Sequence, residues 1–462
     1  MFKKIEIWVL YLVLVFVFIS YIIFGAILRR ELTGGGPYIP VITPLSKVLV
    51  FLSEIPHNLK YMKSHDVRTP NQTRENRFGS LSGFIGDANE KEKYLLLSRF
   101  DGDLQESVVE LIDLQSFDVL HTWNPDINSF FEKVDKVEGG VWEHLMRDNN
   151  NDRFRIFHPI LFEDGSLLFQ GNNTPLIKID KNSELEWMKD DEFYHHSNEE
   201  DIDGNVWVCV RYYPYKIDSM YVGNKYGNYS DDGIRKLSPD GEILFDKSVS
   251  EIFIENDMEY LLFSIGDRRF TKDPIHLNDI QPVEKDTKYW KKGDVFLSLR
   301  SQSMVLLYRP VTNEVIWKIT GGFFNQHDID ILDDSRISIF DNNVKNTFSG
   351  DIVDGNNRVI IYDFETNELS YYLNESLERE DVITKTSGRS QILPNGDLFI
   401  EETNYGRLLY FNSDGSLRWT HVNRSKKGNV YNVIWSRILY EDEDIQKVNR
   451  FLKIKNEITY NE

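Results

Sequence analysis

The sequence predicts an all-β fold, a six-bladed β-propeller preceded by one N-terminal transmembrane helix, and three observations carry that prediction. Residues 7–28 form an uncharged apolar run. From Lys93 onward, aromatic and β-branched runs of four to eight residues alternate with Asp-Gly, Asn-Gly, Thr-Asn and Asp-Ser turns. These runs group into six units at a spacing of roughly 40 residues or more, the period of four-stranded propeller blades.

The apolar run, IWVLYLVLVFVFISYIIFGAIL, has about the 20 residues that cross a bilayer. It ends in Arg29-Arg30 rather than at a small-residue cleavage site, so it reads as an uncleaved single anchor within residues 1–32. A short basic segment precedes it and the folded mass follows. These features predict a cytoplasmic N-terminus and a periplasmic or otherwise extracytoplasmic soluble domain. TGGGPYIP (33–40) opens a linker and irregular lead-in that runs to residue 92, with a short helix expected within 41–64. Residues 93–440 make up the propeller, and 441–462 a C-terminal tail.

Unit one holds YLLLSRF, SVVELIDL and DVLHTWN. The next five open at His158, at His195-His196, at His276, at His327 and at Arg389. Trp123, Trp187, Trp317 and Trp419 recur on the last strand of their units, where packing between blades is the expected role. Insertions at 212–233 and 283–293 are expected on end loops. Their aromatics (Tyr212, Tyr213, Tyr215, Tyr221, Tyr289, Trp290) are candidates to stack on an aromatic ligand.

Five of the ten histidines fall at the opening of a unit. In a radial repeat, equivalent positions converge on one mouth of the central channel. His195 and His196 are adjacent, so strand alternation lets only one of them face that channel. Asn278 shares a strand face with His276, and Arg300 and Arg389 add permanent positive charge. A ring of His, Arg and Asn in a chain of formal charge −21 suits an oxyanion such as phosphate, sulfate or carboxylate. His158 precedes Pro159 and is the weaker member; His57, His65, His121, His144 and His421 lie outside the register and are expected on surfaces or loops.

Composition narrows the chemistry. The acidic balance argues against nucleic acid. The single cysteine, Cys209 in NVWVCV, rules out an intramolecular disulfide and reads as core. No HxH or HExxH spacing points to a metal, no cofactor motif is present, and no glycine-rich loop offers a triphosphate site.

QHDIDILDDSRISIFDNN (326–343) resembles the Gln-His…Phe-Asp-Asn segment of the bacterial aryl-sulfate-dependent, PAPS-independent arylsulfotransferases, six-bladed propellers facing the periplasm. HLND (276–279) and the later SLRSQSMVLLYRP (298–310) resemble that family's His-X-Asn and Ser-Arg-X-Gln-Ser segments, and YHHSNEEDIDGNVWV matches a histidine-containing blade start. The resemblance spans roughly 93–440. Departures are the absent disulfide, no evident N-terminal β domain, Asn343-Val344 where Asp-Gly often follows Phe-Asp-Asn, and no firm match for the last blade's site residue.

The resemblance implies that His327 accepts the sulfuryl group and that His276, His196 and Arg300 complete the catalytic set. Asn278, His195 and Arg389 are then expected to bind substrate. It implies an aryl sulfate and a phenol as substrates, in a ping-pong cycle through a sulfohistidine. The second reading is a non-catalytic, membrane-tethered propeller that binds an anionic ligand or a protein partner. A quinoprotein or metal-dependent propeller hydrolase is a third. Oligomeric state is not legible.

Overall fold

In a computed structural model, the described residues are 6–32, 48–49, 51–53, 55–56, 72–91, 93–137, 140–223, 229–264, 270–348 and 350–459. The chain divides into two units, 1–71 and 72–462.

The first unit contains a helix, Ile7–Leu32, whose described apolar side chains are mostly exposed. Its segment Ile7–Ile27 is long and apolar enough to cross a membrane, so single-pass anchoring is supported. Residues 48–49, 51–53 and 55–56 are helical, within the expected short helix. The rest of that expectation, the 33–40 linker, His57 and His65 lie outside the described residues.

The second unit is a β-propeller. Its main sheets have seven, four, four, five and four strands. The seven-stranded sheet is two four-stranded sets sharing one long strand, Leu185–Glu200, so six four-stranded blades are present. We number them from the N-terminus. Successive inner segments pack on one another around the axis, and Gln391 of blade 6 closes the ring by exchanging side-chain hydrogen bonds with the Ile438 backbone of blade 1.

Blade 1 explains why its unit shows only three runs. Its inner strand is Arg437–Leu439, from the far end of the chain, paired antiparallel with Tyr94–Leu96. Gly83–Gly86 adds a fifth strand outside Leu417–Val422 and covers that edge of blade 6.

Burial between blades supplies the stability. Trp123 and Trp419 are fully buried, Trp317 packs against Tyr362 and Phe364 of the next blade, and Trp187 lies against the Gly241 turn. Cys209 is a buried core residue. The C-terminal residues Asp442–Thr459 form a helix with acidic side chains in its first turn, where they complement the helix dipole. Its Phe451 stacks on Trp123 and leaves no room for a side chain at Gly165, where φ is +85°.

Side chains clamp each blade to the next. Ser98 Oγ of blade 1 donates to the Ile156 carbonyl at 2.7 Å. His158 Nδ1 of blade 2 accepts from the Asn198 N–H at 3.1 Å. Asp232 accepts from Leu277, Asp279 from Ile329 and Asp328 from Ser390. Glu401 of blade 6 accepts from Trp435 and Ser436. These buried acceptors satisfy backbone N–H groups that the ladders leave free.

Four inner strands open at a left-handed residue: Trp435, His158, His196 and His276, with φ between +45° and +56°. In blades 5 and 6 the left-handed residue is Asn325 or Ser387, two positions before His327 or Arg389. All six inner strands run from this end, the histidine end, toward the turn end, where the Asp-Gly-type turns lie.

Candidate active site

Three histidine rings from three blades meet at the histidine end. The His196 ring lies 5.3 Å from that of His276 and 6.4 Å from that of His327, centroid to centroid. Trp435 of blade 1 covers His196 at 5.7 Å.

Each imidazole is held by its second nitrogen. Asn342 Oδ1 lies 2.6 Å from His327 Nδ1, and the Asn342 amide donates to the Thr384 and Ser387 carbonyls. That pair of donations fixes the asparagine so that its oxygen faces the ring, which makes Nδ1 the protonated nitrogen. The Ser387 N–H donates to Nε2 at 2.9 Å, which agrees with that tautomer. Burial, and then the nearby charge of Arg300, push the His327 pKa down to about 3, so the ring is neutral at neutral pH.

His195 and His196 touch through their Nδ1 atoms at 2.6 Å. Strand alternation would part them. The left-handed His196 and a register shift opposite Val208–Cys209 bring both rings to one side. His195 Nε2 faces Asp232 at 3.5 Å. A neutral His195 protonated toward Asp232 has a bare Nδ1, which accepts from His196 Nδ1–H and leaves the lone pair of His196 on Nε2. Burial lowers the pKa of both rings, that of His196 well below its ordinary value. Burial opposes ionisation of Asp232, but Arg211 and His195 hold its pKa low. His276 is half-buried and pairs with Asp273 at 2.5 Å.

Arg300 follows the strand Val295–Leu299, its backbone N–H bonded to the His276 carbonyl. The guanidinium Nε is buried and makes no hydrogen bond within the protein. A buried donor of this kind beside a neutral imidazole suits an anionic oxygen.

Two expected substrate contacts are reassigned. Asn278 is fully buried and spends its amide on the Gln326 carbonyl at 2.9 Å, so it positions the residue before His327 rather than offering that donor to an anion. Arg389 lies among Asp328, Asp330, Glu199 and His158, neutralising buried carboxylates. The two-residue displacement after left-handed Ser387 gives blade 6 a backbone donor at His327 Nε2 instead. His158 belongs to the same clamp: its pKa is pushed down to about 3 by burial and then Arg437, and its Nε2 sits 3.0 Å from Glu199.

The insertions also separate. Residues 212–223 and 229–231 flank the histidine end, but there Tyr212 is core and bonded to Asp246. The 283–293 loop lies at the turn end, where Trp290 is buried and Lys292 bridges to Asp203. That removes Tyr289 and Trp290 from any stacking role at the histidine site. His421 is not a surface residue; it is buried on blade 6 against Phe84. His121 is part-buried on strand Val119–Trp123, against Trp123 and Phe451.

Residues 158–424, more than half of the chain, match the family model described as arylsulfotransferase. The chain belongs to the arylsulfotransferase family. It is therefore a sulfotransferase enzyme, and family membership implies aryl sulfates and phenols as its substrates.

No curated protein matches this arylsulfotransferase. Among solved structures it is similar to a protein of unknown function from Bacteroides caccae (13% identity, 72% of this chain and 94% of that one, TM-score 0.43). It is also similar to virginiamycin B lyase from Staphylococcus aureus (9%, 58% and 70%, TM-score 0.34) and hydrazine synthase from Kuenenia stuttgartiensis (10%, 69% and 78%, TM-score 0.38). These likenesses add nothing to the family match.

Asn342, Ser387, Asp273 and Trp435 escaped the sequence reading. Asn342 stands in the quoted Phe-Asp-Asn segment, so its signal was present. Ser387 contributes only its backbone, which no residue type encodes.

Proposed function

We propose that this arylsulfotransferase works by a ping-pong cycle through a sulfohistidine on His327. The observation that carries the reading is the state of His327, a neutral imidazole with Nδ1–H tied to Asn342 and its one lone pair on Nε2. Nε2 attacks the sulfur of the aryl sulfate, and the S–O(aryl) bond breaks with its electron pair leaving on the phenolate. Retention of the Nδ1 proton makes the product a sulfuryl imidazolium, whose positive ring is a good leaving group for the second step. The Ser387 N–H leaves Nε2 as the N–S bond forms and turns to a sulfuryl oxygen, together with Arg300.

In the second half-reaction an acceptor phenol gives its proton to His196 Nε2 while its oxygen attacks sulfur, and the Nε2–S pair returns to His327. The imidazolium formed on His196 is stabilised through His195 by Asp232. His276, more exposed and braced by Asp273, exchanges that proton with solvent. Burial leaves His196 without a proton in the resting enzyme, so it serves as base for the acceptor and not as acid for the departing phenolate.

Incubation of the full chain with an aryl sulfate, followed by digestion, should add one sulfuryl mass to the peptide bearing His327. No adduct, with phenol release equal in wild type and His327→Ala, would defeat the reading. The anchor is proposed to leave the propeller on the extracytoplasmic side; an activity reporter fused at the C-terminus that works only in the cytoplasm would reverse that assignment.

A further inference from the structure

We propose that the histidine end of the propeller docks on the zwitterionic lipid surface of the membrane that anchors the chain, and that its acceptors are lipophilic phenols dissolved at that interface. The substrate class rests on the arylsulfotransferase cycle above; the docking does not.

Among the described residues, the exposed aromatics of the propeller are all on one side. Among the described propeller residues, the large exposed aromatic side chains are Tyr260, Phe270, Phe324, Phe348 and Tyr371. Each belongs to a segment that the strand directions put at the histidine end. Tyr260 and Phe270 lie between the strands Ile243–Ser248 and Leu277–Pro282, and Phe324 lies in the entry to blade 5. Tyr371 ends the outer strand of blade 5, where its hydroxyl meets Arg358. Phe348 stands on the hairpin Val344–Thr347 with Gly350–Val353, fully exposed, with half-exposed Ile352 behind it. Met220, 76% exposed, is on the same end. At the turn end the exposed apolar residues are aliphatic, such as Ile202 and Val311.

Rings of this kind on a water-facing rim cost solvation, and the headgroup layer is the environment that suits them. The chain itself supplies that layer. The Ile7–Ile27 segment has the length and composition of a span. A net charge of −21 disfavours anionic lipid, which selects a zwitterionic surface. Docking of this rim puts the His196–His276–His327 cluster against the layer where amphiphilic phenols concentrate.

Cys209 is buried, so one introduced cysteine can be labelled in the full chain. Phe348→Cys and Val311→Cys, each carrying an environment-sensitive fluorophore, are reconstituted in phosphatidylcholine vesicles containing a headgroup-region spin-labelled lipid. The label at 348 should lose about half its emission or more, and the label at 311 almost none. Equal quenching at both positions, or none at 348, overturns the docking. This arm needs no turnover, so failure of the transferase reading would not produce it. In the second arm, a Phe270→Ser/Phe348→Ser double variant should raise KM for a long-alkyl phenol in vesicles and leave KM for a water-soluble phenol unchanged. An unchanged KM for the long-alkyl phenol overturns the substrate class, whereas no activity on either phenol in wild type would instead defeat the transferase reading.

Discussion

Asn342 and His327 form the pair on which the site turns: the asparagine oxygen meets the ring Nδ1 at 2.6 Å while its amide is spent on two carbonyls of the next blade. One residue thereby fixes a tautomer, an orientation and the loop carrying Ser387. Asn342→Ala should lower kcat about 10–100-fold with a smaller change in KM, the range found when the partner that orients a functional imidazole is removed. A variant with wild-type kcat would show that the tautomer is fixed elsewhere.

Arg300 and Arg389 should separate cleanly. Arg300→Met should cost about 10²–10³ in kcat, as loss of an oxyanion donor does, with little change in unfolding free energy. Arg389→Met leaves Asp328 and Asp330 without their buried cation and should destabilise the fold by about 3–5 kcal/mol. Denaturant titration of both variants, beside single-turnover rates, checks the division.

His421 gives a pH prediction with a definite sign. Burial pushes its pKa down to about 3, so between about 3 and 6.5 the unfolded chain binds a proton that the folded chain refuses. Its contribution is full above about 6.5 and is lost as pH falls toward 3. His421→Phe should therefore gain on wild type by about 1.4 kcal/mol per pH unit below about 6. Parallel stability curves for the two proteins would contradict this.

The neutral His327 makes a second pH prediction. Because its folded pKa is about 3, the sulfation half-reaction should stay flat from about pH 8 to about pH 5. Rapid-quench measurement of the phenol burst tests this; an acid limb near 6.5 that moves with Asn342 variants would place the nucleophile's titration there instead.

Gly165→Ala should destabilise by more than about 1 kcal/mol, since it adds left-handed strain and drives a Cβ into the Phe451 ring. The same change in a Phe451→Ala background should cost less, and a denaturant double-mutant cycle measures the difference.

Blade 1 shows where sequence reading stops. Its unit has three strand runs because the fourth, Arg437–Leu439, lies more than 300 residues away. Nothing local marks so short a strand as the closure. With it went Trp435, the ring that covers His196. In blade 6, the arginine that aligns with the histidines in the repeat sits two residues beyond the left-handed turn and lands in the clamp. In blade 3, a bulge let both adjacent histidines face one side.

What the sequence determined by itself was the propeller class, the anchor, the convergence of histidines on one channel mouth and the segment around His327 that carries the family resemblance. Those are properties of period-two strands, turn residues and local motifs, all set by neighbours along the chain. Tertiary structure decided which nitrogen of His327 carries the lone pair, which arginine is available to an anion, and that a backbone N–H from blade 6 meets the His327 ring. These depend on one-residue kinks and on contacts between blades, where a shift of a single position turns a side chain from the site into the core.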